Sequence, residues 1–317
     1  MGAVREGALK LGGLRSLSRT YRAHDWVFRT TLRSYGPHYR YGYSAPGRGR
    51  EIGPATSMIP PTTYFDVHVA FLLPPILGLG LLAWRRNRLD RRFLGGLAVL
   101  IALAVGYTTP WDARLIAIGV WRYGEGAVAR RLLGVPLGEY VFFVLQPALT
   151  LLWVRWITRD GDDSSRVASR QSPGNRLAGL LAGAAIAAVG GWLVIAGPET
   201  RLYLGAILLW TGPVLAVQWA YDWPSLRRRG RTIAVGVLVP TGYLCLVDRI
   251  AIDAGIWTIA PAYTTGLTIG GLPVEEGLFF LVTNCFLVQG YLLYDELIER
   301  RTVDAAGRTA GAPETEA

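Results

Sequence analysis

Residues 271–294 read GLPVEEGLFFLVTNCFLVQGYLLY: two adjacent carboxylates, Glu275 and Glu276, open an apolar run long enough for a membrane helix. Ionisable side chains inside a bilayer are costly and usually mark function. Residues 134–143, GVPLGEYVFF, make nearly the same statement, so the acid-led span occurs twice. A helical membrane bundle built from related halves is the architecture this pairing predicts.

The rest of the chain agrees. Of 317 residues 51% are hydrophobic and 39 are Gly, which points away from a soluble enzyme. Seven spans are expected, at about 65–83, 93–109, 137–156, 177–196, 202–219, 233–251 and 273–293. Prolines 74, 75, 213 and 240 fall inside them, which membrane helices tolerate when neighbours satisfy the freed carbonyls. The connections WRRNRLDRR, RWITRDGDDSSRVASRQSPGNR and SLRRRGR are Arg-rich and share one side, as does ERRTVDAAGR near the C-terminus. By the positive-inside rule that side is cytoplasmic, in a multi-pass protein of the cell membrane.

Charge is uneven. Residues 1–57 hold ten Lys/Arg against three Asp/Glu, a net of +7 within a total of +10. A basic stretch invites a nucleic-acid or anionic-lipid partner. Met58 stands directly before the first span, and a basic segment on the outer face conflicts with the orientation, so a translation start at Met58 is the stronger reading. No nucleic-acid partner is expected. Cys245 and Cys285 both fall inside spans and His24, His38 and His68 are scattered, so neither a disulfide framework nor a metal centre is expected. The expected organisation is a basic extension over 1–57, a first repeat over 58–160, a loop and linking helix over 161–200, a second repeat over 201–296, and a disordered tail over 297–317.

The repeat extends beyond the two acid motifs. WDARLIAIGVWRY from residue 111 aligns with VDRIAIDAGIWTI from residue 247, matching Asp112 to Asp248, Gly119 to Gly255 and Trp121 to Trp257 at an offset of 136 (248 − 112). Pro136, Glu139, Phe142 and Phe143 match Pro273, Glu276, Phe279 and Phe280 at an offset of 137 (276 − 139). Three spans per copy plus one extra helix make the copies parallel, so both acid motifs enter the membrane from the outer side, and sites of such proteins lie at the repeat junction.

At helical spacing Glu139, Phe142, Phe143 and Gln146 share a face, as do Glu276, Phe279, Phe280 and Thr283. A carboxyl group beside aromatic ring faces suits carbocation chemistry: an acid protonates a carbon–carbon double bond, and the ring quadrupole stabilises the cation without capturing it. Pro followed by Glu is also an ordinary helix start, and Phe pairs are ordinary packing. Asp112 and Asp248 are placed at span ends, where caps solvated or paired with Arg114 and Arg249 compete with catalysis. Trp111, Trp121 and Trp257 either line a substrate slot or anchor the interface, and His68 reads as an interfacial residue.

The duplicated Pro-x-(Glu/Gly)-Glu-x-x-Phe-Phe motif, with Asp and Gly-x-Trp stretches upstream, resembles the membrane-integral lycopene β-cyclases over about 64–295. These occur as two small subunits or as one fused chain, which this sequence resembles. The Asp-rich diphosphate-binding motifs of the phytoene synthase domain fused to fungal members have no counterpart here. The resemblance implies conversion of the ψ ends of lycopene to β-ionone rings, giving γ-carotene and then β-carotene, with no cofactor and no net redox change. It makes Glu276 or Glu139 the proton donor and Glu275 or the other the acceptor. Gly138 stands where the second copy has Glu275, which favours one composite site. A cyclase of a C50 carotenoid or of another ring type, a small-solute transporter, and a non-catalytic carotenoid scaffold remain alternatives. A retinal Schiff base is excluded, because the only lysine is Lys10.

Overall fold

The computed structural model describes residues 62–158 and 171–310, with side chains to residue 302. The basic segment 1–57, most of the third-to-fourth loop and residues 311–317 lie outside the described residues. Among the described residues, seven helices are long and apolar enough to cross a bilayer. They are α1 (Tyr64–Arg85), α2 (Arg91–Ile118), α3 (Leu137–Ile157), α4 (Pro173–Ala196), α5 (Leu202–Arg228), α6 (Gly230–Asp253) and α7 (Val274–Ala310). The architecture is the expected all-α polytopic bundle. Three short two-stranded ribbons, which hydrophobic periodicity gave no reason to expect, decorate one end of it.

Two expected boundaries move. The second span was drawn to residue 109, but α2 continues through Pro110 to Ile118 and ends on Gly119 at φ 89, so Asp112 lies within the helix. A proline needs no N–H, and in a membrane helix its freed carbonyl is tolerated. At the C-terminus, where the sequence predicted a disordered tail from about 297, α7 runs on to Ala310.

Local irregularities have identifiable causes. In α1 the stretch His68–Leu72 is π-helical, just before Pro74 and Pro75. Pro75 has no N–H for the carbonyl of Phe71, and the Tyr243 hydroxyl donates to that oxygen instead, tying α6 to α1. On the other side Tyr107 donates to the carbonyl of Trp210, tying α2 to α5 at 2.8 Å. In α5 Asp222 leaves helical geometry (φ −159, ψ 73) and caps the segment after it, its Oδ1 accepting the Ser225 N–H at 3.0 Å. Arg300 of α7 bonds both Asp222 and Glu296, locking this end of the bundle.

Mid-membrane, a polar seam joins α3, α6 and α7. Gln146 donates to Thr283 at 2.7 Å, Thr150 donates to Asn284 at 2.7 Å, and Asn284 donates to Thr241 at 3.0 Å. With no water at that depth, each of these groups needs a protein partner, which fixes the register between the helices. Helix α4 packs on α5 through small residues. A Cβ built on Gly190 would stand 2.2 Å from the Leu209 nitrogen, and one on Gly183 would stand 2.4 Å from the Ala216 nitrogen.

That approach yields a stability test. Gly190→Ala forces two backbones apart and is expected to cost about 1–3 kcal/mol, the range of core overpacking. Thermal unfolding in detergent reads the loss, and a variant as stable as the parent would contradict the packing described.

Candidate active site

The ribbons position the acids. Strands β2 (Arg131–Leu132) and β3 (Val135–Pro136) pair antiparallel around Leu133 and Gly134, both at positive φ (51 and 85). Strands β5 (Thr268–Ile269) and β6 (Leu272–Pro273) pair around Gly270 and Gly271, also at positive φ (59 and 83). Both are two-residue hairpins of the kind whose twist matches the strands. Each ends in its proline and passes straight into an acid-bearing helix, α3 or α7.

A third ribbon joins β1 (Trp121–Tyr123) to β4 (Trp257–Ile259), with Trp121 opposite Ile259 and Tyr123 opposite Trp257. Gly119 and Gly255, both at positive φ, reverse the chain after α2 and α6 so that these strands begin two residues later. That is the physical content of the Gly-x-Trp motif.

Beneath the ribbons lies a cavity of about 60 Å³ lined by Asp112, Glu139, Asp248 and Glu276. Its aromatic walls include Phe142, Phe143, Phe279, Phe280, Trp121 and Trp257. Ten of the twelve residues singled out from the sequence therefore face one space. Trp111 stands behind it, stacked on Phe279 at 5.6 Å and 4°. Glu275 is not among the lining residues: it is fully buried, and its Oε1 accepts the Thr265 N–H at 2.7 Å, pinning the turn before the hairpin.

The four lining acids are held differently. Glu139 accepts two phenol hydroxyls, Tyr123 at 2.8 Å and Tyr64 at 3.0 Å, one on each oxygen. Burial, and then the Glu139 carboxylate, hold the Tyr123 phenol far above its ordinary pKa, so it remains a donor. Glu276 accepts the indole N–H of Trp121, from the other half, at 3.1 Å. Asp248 accepts that of Trp257 at 2.8 Å, and its second oxygen is buried without a partner. Asp112 likewise keeps one buried oxygen unpartnered.

Of the two readings left open for the aspartates, the cap that is solvated or paired with Arg249 does not hold. Asp112 and Asp248 are each 3% exposed, and Arg249 turns away to pair with Asp253. The tryptophans likewise serve the site: Trp121 and Trp257 spend their N–H groups on its carboxylates. His68, read as interfacial, is buried in the wall, its ring nitrogens 2.9 and 3.0 Å from the carbonyls of Tyr64 and Gly138. A neutral imidazole carries one N–H and so donates to one of them.

Sequence reasoning missed the tyrosines. Tyr64 and Tyr203 occupy the first turn of α1 and α5, at an offset of 139 (203 − 64) that differs from the 136 and 137 of the recognised repeat. The Tyr203 hydroxyl is buried beside Glu276 without closing a hydrogen bond. Gly138 also gains a reason: a Cβ there would lie 2.4 Å from the Tyr64 ring, which could not then reach Glu139.

A model of the lycopene cyclase family matches residues 61–157 and 200–293. The chain is 44% identical over 239 residues to a lycopene beta-cyclase of Halobacterium salinarum, an alignment covering 75% of this chain and 98% of that protein. It is 34% identical over 249 residues to a bifunctional lycopene cyclase/phytoene synthase of Pyrenophora tritici-repentis, covering 74% of this chain and 41% of the fungal protein. No solved structure matches.

The Glu139 contacts are testable apart from any activity. Tyr123→Phe and Tyr64→Phe each remove one donor from that carboxylate, with an expected loss of about 1–3 kcal/mol in stability. In a double-mutant cycle with Glu139→Gln, the Tyr123→Phe penalty should shrink by more than about 0.5 kcal/mol. Simple additivity would mean that the bond is not made.

Proposed function

The chain belongs to the lycopene cyclase family, and from that membership we propose that it closes the ψ ends of lycopene into β-ionone rings, giving γ-carotene and then β-carotene. The observation that carries the reading is the convergence of four carboxyl groups and a set of aromatic faces on one small intramembrane cavity.

The chemistry is an isomerisation in which every proton and electron pair is accounted for. A carboxylic acid protonates C2 of the C1=C2 bond, leaving a cation at C1. The C5=C6 electron pair forms the C1–C6 bond and moves the cation to C5. Loss of the C6 proton to a carboxylate restores the C5=C6 double bond. One acid and one base suffice, with no change of oxidation state, which makes the enzyme an intramolecular lyase among the isomerases. The rings of Phe142, Phe143, Phe279 and Phe280 offer faces to the cations at C1 and C5.

Hydrogen bonding supports a division of roles. Glu139 receives a hydroxyl on each oxygen, the pattern of a group acting as carboxylate, and we assign it the base. Glu276 receives one N–H at Oε1 and has the Tyr203 hydroxyl beside it without a closed hydrogen bond, so it is the less fully bonded of the two, and we assign it the acid. Asp112 and Asp248, each with an unpartnered oxygen on the same cavity, are assigned to replenishing that proton. The protein is read as two parallel three-helix repeats joined by α4 in the cell membrane.

Expression in a lycopene-accumulating host, followed by pigment chromatography, is the direct test. The parent chain should yield β-carotene with no added reductant, whereas acyclic pigment alone would refute the reading; a C50 or ε-ring product would redirect it within the family. Glu276→Gln and Glu139→Gln should each lower ring formation by at least about 100-fold, the lower range for a positioned acid or base, with normal membrane insertion. In D₂O each new ring should carry one deuterium at C2. A chain lacking residues 1–57 should retain activity, since the family match begins at residue 61.

A further inference from the structure

A second, larger cavity of about 550 Å³ runs along the bundle between α2, α5 and α7, with α3 at its head. Phe143 and Phe279 line both this groove and the acid-lined cavity, so the two spaces meet at one aromatic wall. Above it, α2 and α5 are bridged by Tyr107 donating to the Trp210 carbonyl and Trp111 donating to the Ala206 carbonyl. Along α7 the lining runs from Phe279 to Leu297, 18 residue steps (297 − 279). That is about 27 Å of helix, most of the roughly 30 Å hydrocarbon core.

The walls make few polar demands. The amide nitrogens of Gln146 and Gln218 are both spent inside the protein, on Thr283 and on the Phe286 carbonyl. Leu103 of α2 and Val217 of α5, on opposite walls, are 59% and 68% exposed, so the groove opens sideways where lipid would lie. A solute carrying charge would find no partner there. A rigid apolar rod would find a long straight trough, leading at one end to acids.

We propose, resting on the cyclase reading above, that this groove holds the polyene of one linear carotenoid upright in the membrane and feeds one ψ end past Phe143 and Phe279 to the acids. The two ψ ends of such a molecule are separated by its whole length, and the acids line a single cavity at one end of the groove. One ring therefore forms per visit. The mono-cyclic product leaves through the lateral opening and returns reversed for the second ring.

The test separates the groove from the chemistry. A Glu276→Gln chain isolated from a lycopene-accumulating host should retain lycopene. Adding Leu103→Trp or Val217→Trp should lower that retention by about tenfold or more, the loss expected when about two methylenes' worth of apolar contact is denied. The same substitutions in the otherwise unaltered chain should slow ring formation comparably, whereas Leu181→Trp, on an exposed face of α4 outside the groove, should not. Bound lycopene should also quench Trp210 emission, so that Trp210→Phe removes a defined part of the quench in the Glu276→Gln chain, a readout needing no obstructed variant. Undiminished retention and turnover in both tryptophan variants, an unchanged quench, or recovery of acyl lipid alone would overturn the groove assignment. Groove-dependent retention by a parent chain that forms no rings would instead sink the cyclase reading and leave the groove standing. Free γ-carotene should peak before β-carotene in a single-turnover time course. Appearance of both rings with no released intermediate would refute the one-end-per-visit step.

Discussion

A carboxyl group in a bilayer has no water to turn to, and this requirement governs the end of the bundle that carries the ribbons. Each ionisable side chain at a helix centre costs about 2.5–3.5 kcal/mol by insertion scales, somewhat less near an end. Asp112, Glu139, Asp248 and Glu276 nevertheless share a cavity of about 60 Å³. Such a concentration is tolerable only if the halves stay closed around it and supply donors. The β1–β4 ribbon does both, joining the halves by backbone hydrogen bonds and delivering Trp121, Tyr123 and Trp257 to the carboxylates below. The mid-membrane seam from Gln146 to Thr241 holds the same helices in register one layer down.

Much of this was legible because membrane helices write themselves plainly in sequence. All seven spans were visible as apolar runs, and the matched Glu and Phe spacings on the third and seventh implied faces that the structure does bring to one cavity. What escaped was set by contacts rather than by local pattern. Hydropathy falls at Pro110, so the second span was ended there, whereas packing carries the helix on to Ile118. Strands of two or three residues have too little periodicity to register. Tyr64 and Tyr123 carry no local signal, because their hydroxyls meet on one carboxylate 75 and 16 residues away in the chain.

Each of the two acid-bearing helices is entered through a short hairpin, and the surroundings of their acids differ. On one side Gly138 clears space for the Tyr64 ring, and Tyr123 adds a second hydroxyl to Glu139. On the other, Ile259 stands at the repeat position of Tyr123 (259 − 123 = 136) and brings no hydroxyl, and Glu275 replaces the glycine. Its carboxylate ties down Thr265 instead of facing the cavity. The extra glutamate that drew notice in the sequence thus serves the turn that sets Glu276 in place.

Asymmetry of this kind is what proton-initiated ring closure asks for. Two carboxyl groups with identical surroundings would share the same proton affinity, and neither would be committed to giving or taking. Different donor sets push paired groups toward opposite tasks. Glu139 accepts two hydroxyls, while Glu276 accepts one indole N–H and lies beside the Tyr203 hydroxyl. Reversing that imbalance requires changing the donors rather than the acids, because the carboxyl groups themselves are chemically the same. In the proposed reaction the tyrosines and tryptophans around the cavity set the direction of proton flow, and the phenylalanine faces give the cation its resting place between the two transfers.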